Sequence, residues 1–462
     1  MSEKIDYHKI LKEIKPDQKE YHEVNELAVK LISIIDEIAA NNSINAKSTL
    51  VGSVAKDTWL AGKADIDIFI EFPLRTDEAE LKEKGLFLGH KCIESMGGEY
   101  ELRYASHPYV TGLINGFEID FVPCYSIKDA GELKSAVDRT ILHTEYVKKN
   151  LKEEQKDEVI LLKKFMESIA TYGSEFKVGG FAGYLCELLI IYYGSFNIVL
   201  KAAADSWHQG YIIDLEKFNT GTGFTEPLIV IDPVDKNRNV AAALTTQKMA
   251  EFVVASRNFI KKPNPEFFSK KIIKYDADIV KNGFTKRGTK TLLLTFTPPS
   301  VPADAVYPQL KKTENSLRKI VEREDFHVYG SSNWTDQTEL AIILLEILVW
   351  ELPTIKKHLG PFVWSKDHQK RFLDKYGSKA WINGEQWTVD IKREYNDVKS
   401  LLKAILTPEK INYLKLGKHV KKEILDNVEI VDVQNFISSP KCDDSSLKFL
   451  YEYLNKSENI WR

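Results

Sequence analysis

Only four cysteines occur in 462 residues, Cys92, Cys124, Cys186 and Cys442. They lie too far apart for a CxxC metal motif or a small disulfide framework, and a reducing compartment suits such a chain. Neither charge sign dominates: 64 basic residues stand against 67 acidic ones, a formal net charge of −3. That excludes a polycationic tail-type binder but leaves nucleic acid open as a partner, because a local basic surface attracts phosphate on a protein that is neutral overall. Long hydrophobic runs are missing as well. The two most apolar stretches, 185–204 and 340–352, are interrupted by Glu187, Asn197 and Glu346, and neither reaches the roughly 18 clean apolar residues of a bilayer span. The N-terminus, MSEKIDYHKILKEIKPDQKE, is charged from the start and has no signal-peptide pattern. The expectation is a soluble, cytoplasmic protein with no membrane partner. No repeat or low-complexity tract is visible. With 43% hydrophobic and 28% charged residues the composition is ordinary globular, and the length suggests about three domains.

What is present reads as three segments. In the first, Val24, Leu27, Ala28, Leu31, Ile35 and Ile38 fall at helical spacing. Short apolar runs follow: 66–70 and 117–122 have the β-branched and aromatic content of strands, and 78–96 looks helical, ending at Gly97-Gly98. From about residue 157 helix returns, with Leu161, Leu162, Phe165, Met166 and Ile169 as one stripe. A second helix is expected from 183 toward 204, then a loop at 232–239, then helix at 246–259. Pro263 and Pro265 mark a boundary. Beyond it come a strand at 291–297, a helix at 309–323 and a hairpin across 331–338. The run 340–350 is ambiguous between buried helix and strand, its Ile, Val and Trp content favouring strand. The division expected is 1–150, 151–265 and 266–462.

One constellation carries chemistry. Gly52-Ser53 sits at a turn after an apolar run, Asp65-Ile66-Asp67 comes eleven residues later, and Asp120 lies in a second strand. Period two puts Asp65 and Asp67 on one strand face. Carboxylates that close repel unless a cation neutralises them, and hard oxygen ligands on a rigid strand suit Mg²⁺. A third carboxylate from a neighbouring strand would complete a two-metal site. An isolated D-x-D is often only a solvated edge strand, but the Gly-Ser changes this reading: glycine lets the backbone approach a triphosphate, and successive N–H groups with a hydroxyl can hold it. The combination resembles the DNA-polymerase-beta-like nucleotidyltransferase superfamily.

The blocks LVGSVAKDTWLAGKADIDIFIEFP, YASHPYVTG, FEIDFVPCY, KSAVDRTILH, KVGGFAGYLCELLIIYYGSF, DPVDKNRNVAAAL and YPQL narrow the resemblance to the archaeal-type, class I CCA-adding enzymes, over nearly the whole chain. These transferases build the 3′-terminal CCA of tRNA from CTP and ATP without a template. The resemblance implies an α+β protein: a polymerase-beta-like catalytic head, a helical central domain that binds nucleotide and tRNA, and a C-terminal body and tail with a ferredoxin- or RRM-like α/β layer holding the tRNA acceptor stem and T arm. It implies two Mg²⁺ ions on Asp65, Asp67 and Asp120, and a homodimer. It gives Ser53, Lys56, His143, Lys163 and Tyr172 to the triphosphate and Arg238 to the incoming base. Gly179 departs from the pattern, since relatives carry Arg there.

Read by themselves, several of these residues have plainer roles. Lys163, beside the apolar stripe, could be a solvated helix residue, and His143 an ordinary surface or satisfied histidine. Tyr172 could be a core anchor, and Arg238 could staple its loop through Asp235. Cys124 and Cys186 read as buried small apolar residues. Lys415, Lys418, His419, Lys421 and Lys422 could be a solvated helix face or a contact to the tRNA backbone. Two other functions share the carboxylates or the fold: a poly(A)- or oligoadenylate-type transferase, and a non-catalytic tRNA-binding module.

Overall fold

The computed structural model describes residues 5–104 and 108–462; residues 105–107, inside the YASHPYVTG block, and 1–4 lie outside the described residues. The chain divides into two compact units, Met1–Ile272 with Ser457–Arg462, and Ile273–Lys456.

The first unit opens with α1 (Tyr7–Ile14) and α2 (Gln18–Asn41), whose first turns are capped by the carboxylates of Asp6 and Asp17. Val24, Leu27, Ala28, Leu31 and Ile35 of α2 are buried, the stripe their spacing predicts. A five-stranded sheet follows, made of β1 (Lys47–Val51), β2 (Asp65–Phe72), β3 (Glu99–Tyr104), β4 (Pro108–Ile114) and β5 (Phe117–Tyr125), with α3 (Glu78–Ser95) between β2 and β3. The order is β1-β2-β5-β4-β3; β2 and β5 run parallel and the other pairs antiparallel. Ile66, Ile68, Ile119 and Phe121 join the residues of α2 and α3 in one core. Strand alternation therefore turns Asp65, Asp67 and Asp120 to the other face.

The chain continues through α4 (Arg139–Asn150), α5 (Glu153–Ser168), α6 (Gly183–Tyr193) and α7 (Phe196–Ser206), then β6 (Tyr211–Asp214), β7 (Leu228–Asp232) and β8 (Asp235–Asn239), and finally α8 (Thr246–Lys261). Two expectations need correction here. The single helix from 183 toward 204 is two helices bent by 90°, because Gly194 takes a φ of 95° and ends α6. The expected loop 232–239 is a hairpin arm: β7 and β8 pair antiparallel within a three-stranded sheet ordered β6-β7-β8. The polar sequence DKNRN of this strand lacks the apolar alternation that marks a strand in sequence. The central segment thus carries a small sheet beside its helices. Its core is aromatic, with Phe165 5.4 to 6.1 Å from the rings of Phe196, Phe252, Phe259, Phe267 and Phe268. The C-terminus returns to this unit, where the Arg462 guanidinium donates to the carbonyls of Ser168, Glu266 and Ser269.

The second unit contains α9 (Ala277–Arg287), β9 (Lys290–Phe296), α10 (Ala303–Arg323), β10 (His327–Thr335) and β11 (Ala341–Val349). It continues through β12 (Ile355–Phe362), α11 (Lys366–Tyr376), β13 (Trp381–Asn383), β14 (Gln386–Lys392), α12 (Val398–Ile405), α13 (Lys418–Asn427), β15 (Glu429–Asp432), α14 (Val433–Ile437) and α15 (Asp444–Leu454). An antiparallel sheet ordered β10-β11-β9-β15, joined as β9-α10-β10-β11, then an insertion of β12 to β14 with α11, then α12, α13 and β15, is the split βαβ pattern of a ferredoxin-like layer with an inserted sheet. Both faces are covered. Leu292, Leu294, Ile343 and Leu345 pack with residues of α10, α12 and α13, whereas Leu293, Ile342 and Leu344 pack with residues of α9, α14 and α15. A strand buried on both sides reads as a continuous apolar run, which is why 340–350 looked ambiguous and proves to be strand. A covered second face also means that this layer lacks the open sheet on which RRM domains stack bases. A separate three-stranded sheet, β12-β14-β13, carries α11. No single helix among the described residues is long and apolar enough to cross a membrane.

Candidate active site

Parallel pairing sets Asp67 directly opposite Asp120, with Asp65 two residues before Asp67 on the same strand. On the other side of β2, Val51 pairs with Asp67, so the chain turns at Gly52 beside that carboxylate. Gly52 has a φ of 75°, and a Cβ built there would overlap Asp67 Oδ2. Glycine is required at this turn by both conformation and space. Ser53 follows half-buried, its carbonyl accepting the amides of Lys56 and Thr58. Asp120 accepts a hydrogen bond from Thr111 Oγ1 at 2.6 Å. Burial, and then the charges of Asp120 and Asp65, push the Asp67 carboxyl up to about 7. Asp65 and Asp120 are raised too, in each case first by burial. Three carboxylates therefore share a face on which their own charges are mutually unfavourable.

Lys56 and Lys163 are buried together, with relative exposures of 8% and 2%. Between them stands Glu187 of α6, 0% exposed. It accepts from Lys56 Nζ at 2.5 Å and Thr58 Oγ1 at 2.7 Å, with Lys163 Nζ at 3.5 Å. Lys163 also donates to the Thr58 carbonyl at 2.9 Å. A Cβ at Gly183 would lie 3.2 Å from the Tyr172 hydroxyl and 3.6 Å from Lys163 Nζ, so those two groups converge on the start of α6. Lys163 is thus no solvated helix residue.

A second cluster centres on Asp232, fully buried at the end of β7. His143 Nε2 lies 2.8 Å from Asp232 Oδ2, Arg238 Nη1 donates to the same oxygen at 2.7 Å, and the Tyr184 hydroxyl reaches Oδ1 at 3.3 Å. The His143 ring stacks on Tyr184 with centroids 3.9 Å apart. Burial raises the Asp232 carboxyl, but His143 and Arg238 outweigh it and hold it below the usual range; burial lowers the His143 imidazole. An ionised carboxylate only accepts, so neutral His143 donates from Nε2 and would offer a further donor, at Nδ1, only when protonated. Arg238 does staple its hairpin, but to Asp232; Asp235 pairs instead with Arg139 at 3.0 Å. A cavity of about 530 Å³ opens beside Arg238, lined also by Arg139, Ala182 and Phe224. Gly179 takes a φ of 60°, with Thr245 packed where a side chain would start.

The comparisons with known proteins agree along the chain. Residues 31–143 match the nucleotidyltransferase domain, 157–269 the second domain of tRNA nucleotidyltransferase, and 287–432 the C-terminal domain of CCA-adding enzyme. A CCA-adding enzyme of Methanothermobacter thermautotrophicus is 51% identical over 97% of this chain and 98% of its own. This chain belongs to the CCA-adding enzyme family. Another family member, from Methanocaldococcus jannaschii, is 40% identical over 86% of this chain and 89% of its own. Among solved structures, a Cid1 poly(U) polymerase aligns with a TM-score of 0.46 and 16% identity, over 57% of this chain and 98% of that one. A likeness at that level adds nothing to the assignment.

For a CCA-adding enzyme the nucleotidyltransferase carboxylates must suit a hard divalent cation. Asp65, Asp67 and Asp120 do so in donor chemistry: oxygen ligands only, mutually repelling, with no lysine or arginine among the described residues bonded to any of them. Among the described residues no three such groups close around one point, so they form an open face and no cage. Two buried, partnered carboxylates are not legible in the sequence. Glu187 registered only as an interruption in an apolar run, and Asp232 only as the first residue of a supposed loop. In each case the available signal was an acidic residue flanked by apolar strand or helix formers, which is the sequence mark of a buried, partnered charge. Of the basic residues singled out near the C-terminus, Lys415 lines a groove of about 750 Å³ with Lys312, Lys319, Arg323 and Tyr413. Lys418, His419, Lys421 and Lys422 lie on α13, where only Lys421 is partly covered.

Proposed function

We propose that this chain adds and repairs the 3′-terminal CCA of tRNA, transferring nucleotides from CTP and ATP and releasing pyrophosphate without a template. The observation that carries the reading is the in-register pair Asp67 and Asp120 beneath the Gly52-Ser53 turn. Asp65, Asp67 and Asp120 would hold two Mg²⁺ ions, which supply Lewis-acid activation of the tRNA 3′-hydroxyl and charge stabilisation at the leaving phosphates. The Gly52 turn brings backbone and the Ser53 hydroxyl up to the triphosphate. Lys56, Lys163, Tyr172 and His143 orient that group, so that much of the rate gain is positioning and electrostatics.

Arg238 selects the base. Its guanidinium has donors only. Cytosine N3 and adenine N1 accept, whereas uracil N3–H and guanine N1–H donate, so C and A pair with it and U and G meet an unsatisfied donor. Asp232 engages one nitrogen of the guanidinium and holds the rest of the fork in a fixed direction. The segments 1–150, 151–265 and 266–462 act as catalytic head, nucleotide- and tRNA-binding centre, and tRNA-binding body and tail. The basic groove at Lys415 and the lysines of α13 contact the backbone of the acceptor stem and T arm. The working form is a cytoplasmic homodimer. A poly(A)-type transferase would use the same carboxylates; the match of 287–432 to the CCA-adding C-terminal domain favours CCA addition. The test is extension of a tRNA that ends before CCA. With CTP alone two residues are added and synthesis stops, and ATP then adds one. Unlimited adenylation would support the poly(A) reading instead.

A further inference from the structure

Glu187 has no place in the roles given so far, yet it is the anion around which both buried lysines are built. We propose that Glu187 is a positioning residue for the polyphosphate: it fixes the ammonium groups of Lys56 and Lys163 as a charged pair at the start of α6, so that a triphosphate meets two preformed cations. The inference rests on the reading that these lysines hold the triphosphate. Its geometry is drawn from four separate segments. Lys56 comes from the turn Val54–Lys56, Thr58 from the segment after it, Lys163 from α5, and Glu187 from α6. The carboxylate accepts from Lys56, Thr58 and Lys163, and its single negative charge is outweighed by the two ammonium charges bonded to it. Among Lys56, Lys163 and Glu187 two cations stand against one anion, with Asp67 the further carboxylate that feels the Lys56 charge, and buried positive charge in excess favours an anionic ligand. A triphosphate is such a ligand.

The groups facing Lys163 are Glu187 and Cys186 from α6 and Lys56 from the turn, with the Tyr172 hydroxyl also converging on the start of α6. Burial lowers the Lys163 ammonium, the neighbouring Lys56 charge lowers it further, and the Glu187 carboxylate opposes both. Burial raises the Glu187 carboxyl, but Lys56 and Lys163 hold it below its ordinary value. Removing the Glu187 charge therefore makes Lys163 shed its proton at lower pH.

The test measures binding of inorganic tripolyphosphate with Mg²⁺, which has no base to read, by calorimetry on the full chain from pH 6 to 9. Glu187→Gln should weaken binding roughly ten- to a hundred-fold, the range expected for loss of one bond to a charged group. The ratio to wild type should widen as pH rises. In steady state KM for CTP and ATP should rise together, with tRNA affinity unchanged. Glu187→Asp keeps the charge one methylene farther from the lysines, and should bind between wild type and Glu187→Gln with a smaller growth of the loss toward pH 9; should Glu187→Gln not fold, the Asp variant answers alone by that weaker binding and that residual growth. Binding by Glu187→Gln, or by Glu187→Asp where only that variant folds, equal to wild type at every pH would overturn the proposal. Lys163→Gln separates the two layers. If it weakens tripolyphosphate and Glu187→Gln does not, only the role of Glu187 fails; if Lys163→Gln leaves binding intact, the triphosphate reading itself fails.

Discussion

Replacing Gly52 by alanine adds a single methyl group at the point where the turn touches the central carboxylate. The new Cβ would sit 3.0 Å from Asp67 Cγ and overlap Oδ2 outright. Two costs follow, and they are separable. The backbone cost arises because φ is 75°, a left-handed conformation that disfavours an L-residue by about 1–2 kcal/mol; it should appear as a fall of a few degrees in Tm. The chemical cost arises because the Asp67 carboxylate must withdraw by on the order of 1 Å, and a displacement of that size can lower a rate about 100-fold. The assay is single-turnover addition of CTP and of ATP to tRNA at saturating nucleotide and Mg²⁺, with tRNA affinity and thermal unfolding measured alongside. Both rates should fall about equally while tRNA binding holds. A variant that loses a few degrees of Tm but adds nucleotides at the wild-type rate would show that the turn does not fix Asp67, and the arrangement of the site would need another basis.

Asp67→Ala and Asp120→Ala should each abolish CTP and ATP addition while tRNA binding, followed by gel shift, persists; turnover by either at saturating Mg²⁺ would remove it from the metal site. Arg238→Ala should cost CTP and ATP roughly ten- to a hundred-fold in kcat/KM and raise the relative acceptance of UTP, with pyrophosphate release still measurable; unchanged discrimination against UTP would leave Arg238 as a hairpin staple only. Asp232→Asn should weaken the hold on Arg238 and His143 together, and so broaden base choice and weaken nucleotide binding in one variant. The metal-free protein should lose stability as pH rises. Asp67 lies near 7 in the fold against an ordinary 3.8, so its contribution is fully present below about pH 4 and is lost as pH passes through about 7. Added Mg²⁺ should accordingly raise Tm more at pH 8 than at pH 5, and an equal gain at both would contradict the shared-charge account.

Local signals carry much of the fold and of the carboxylate face. Strand composition located β2 and β5, and alternation put Asp65 and Asp67 on one side before any pairing was known. The pairing itself was not legible: that Asp120 stands opposite Asp67 follows from the parallel β2–β5 register, which joins residues some fifty positions apart. The bend at Gly194 was missed because the apolar pattern runs through it, and only the positive φ ends the helix. β8 was missed because a polar edge strand satisfies its backbone without showing an apolar face. Glu187 and Asp232 are illegible in the sequence for one reason. A single sequence shows that a charge interrupts an apolar run, but its partners, Lys56 and Lys163 for one and His143 and Arg238 for the other, arrive from distant segments.

The most direct measurement is pyrophosphate release on a tRNA ending before CCA, with CTP and ATP supplied and Mg²⁺ varied. The wild-type chain should release one pyrophosphate for each nucleotide added, three per tRNA, and none without Mg²⁺, and Asp67→Ala should release none at any Mg²⁺ concentration. Release that persists in Asp67→Ala, or that proceeds in wild type without a divalent cation, would contradict the assignment of Asp65, Asp67 and Asp120 as the centre of CCA addition.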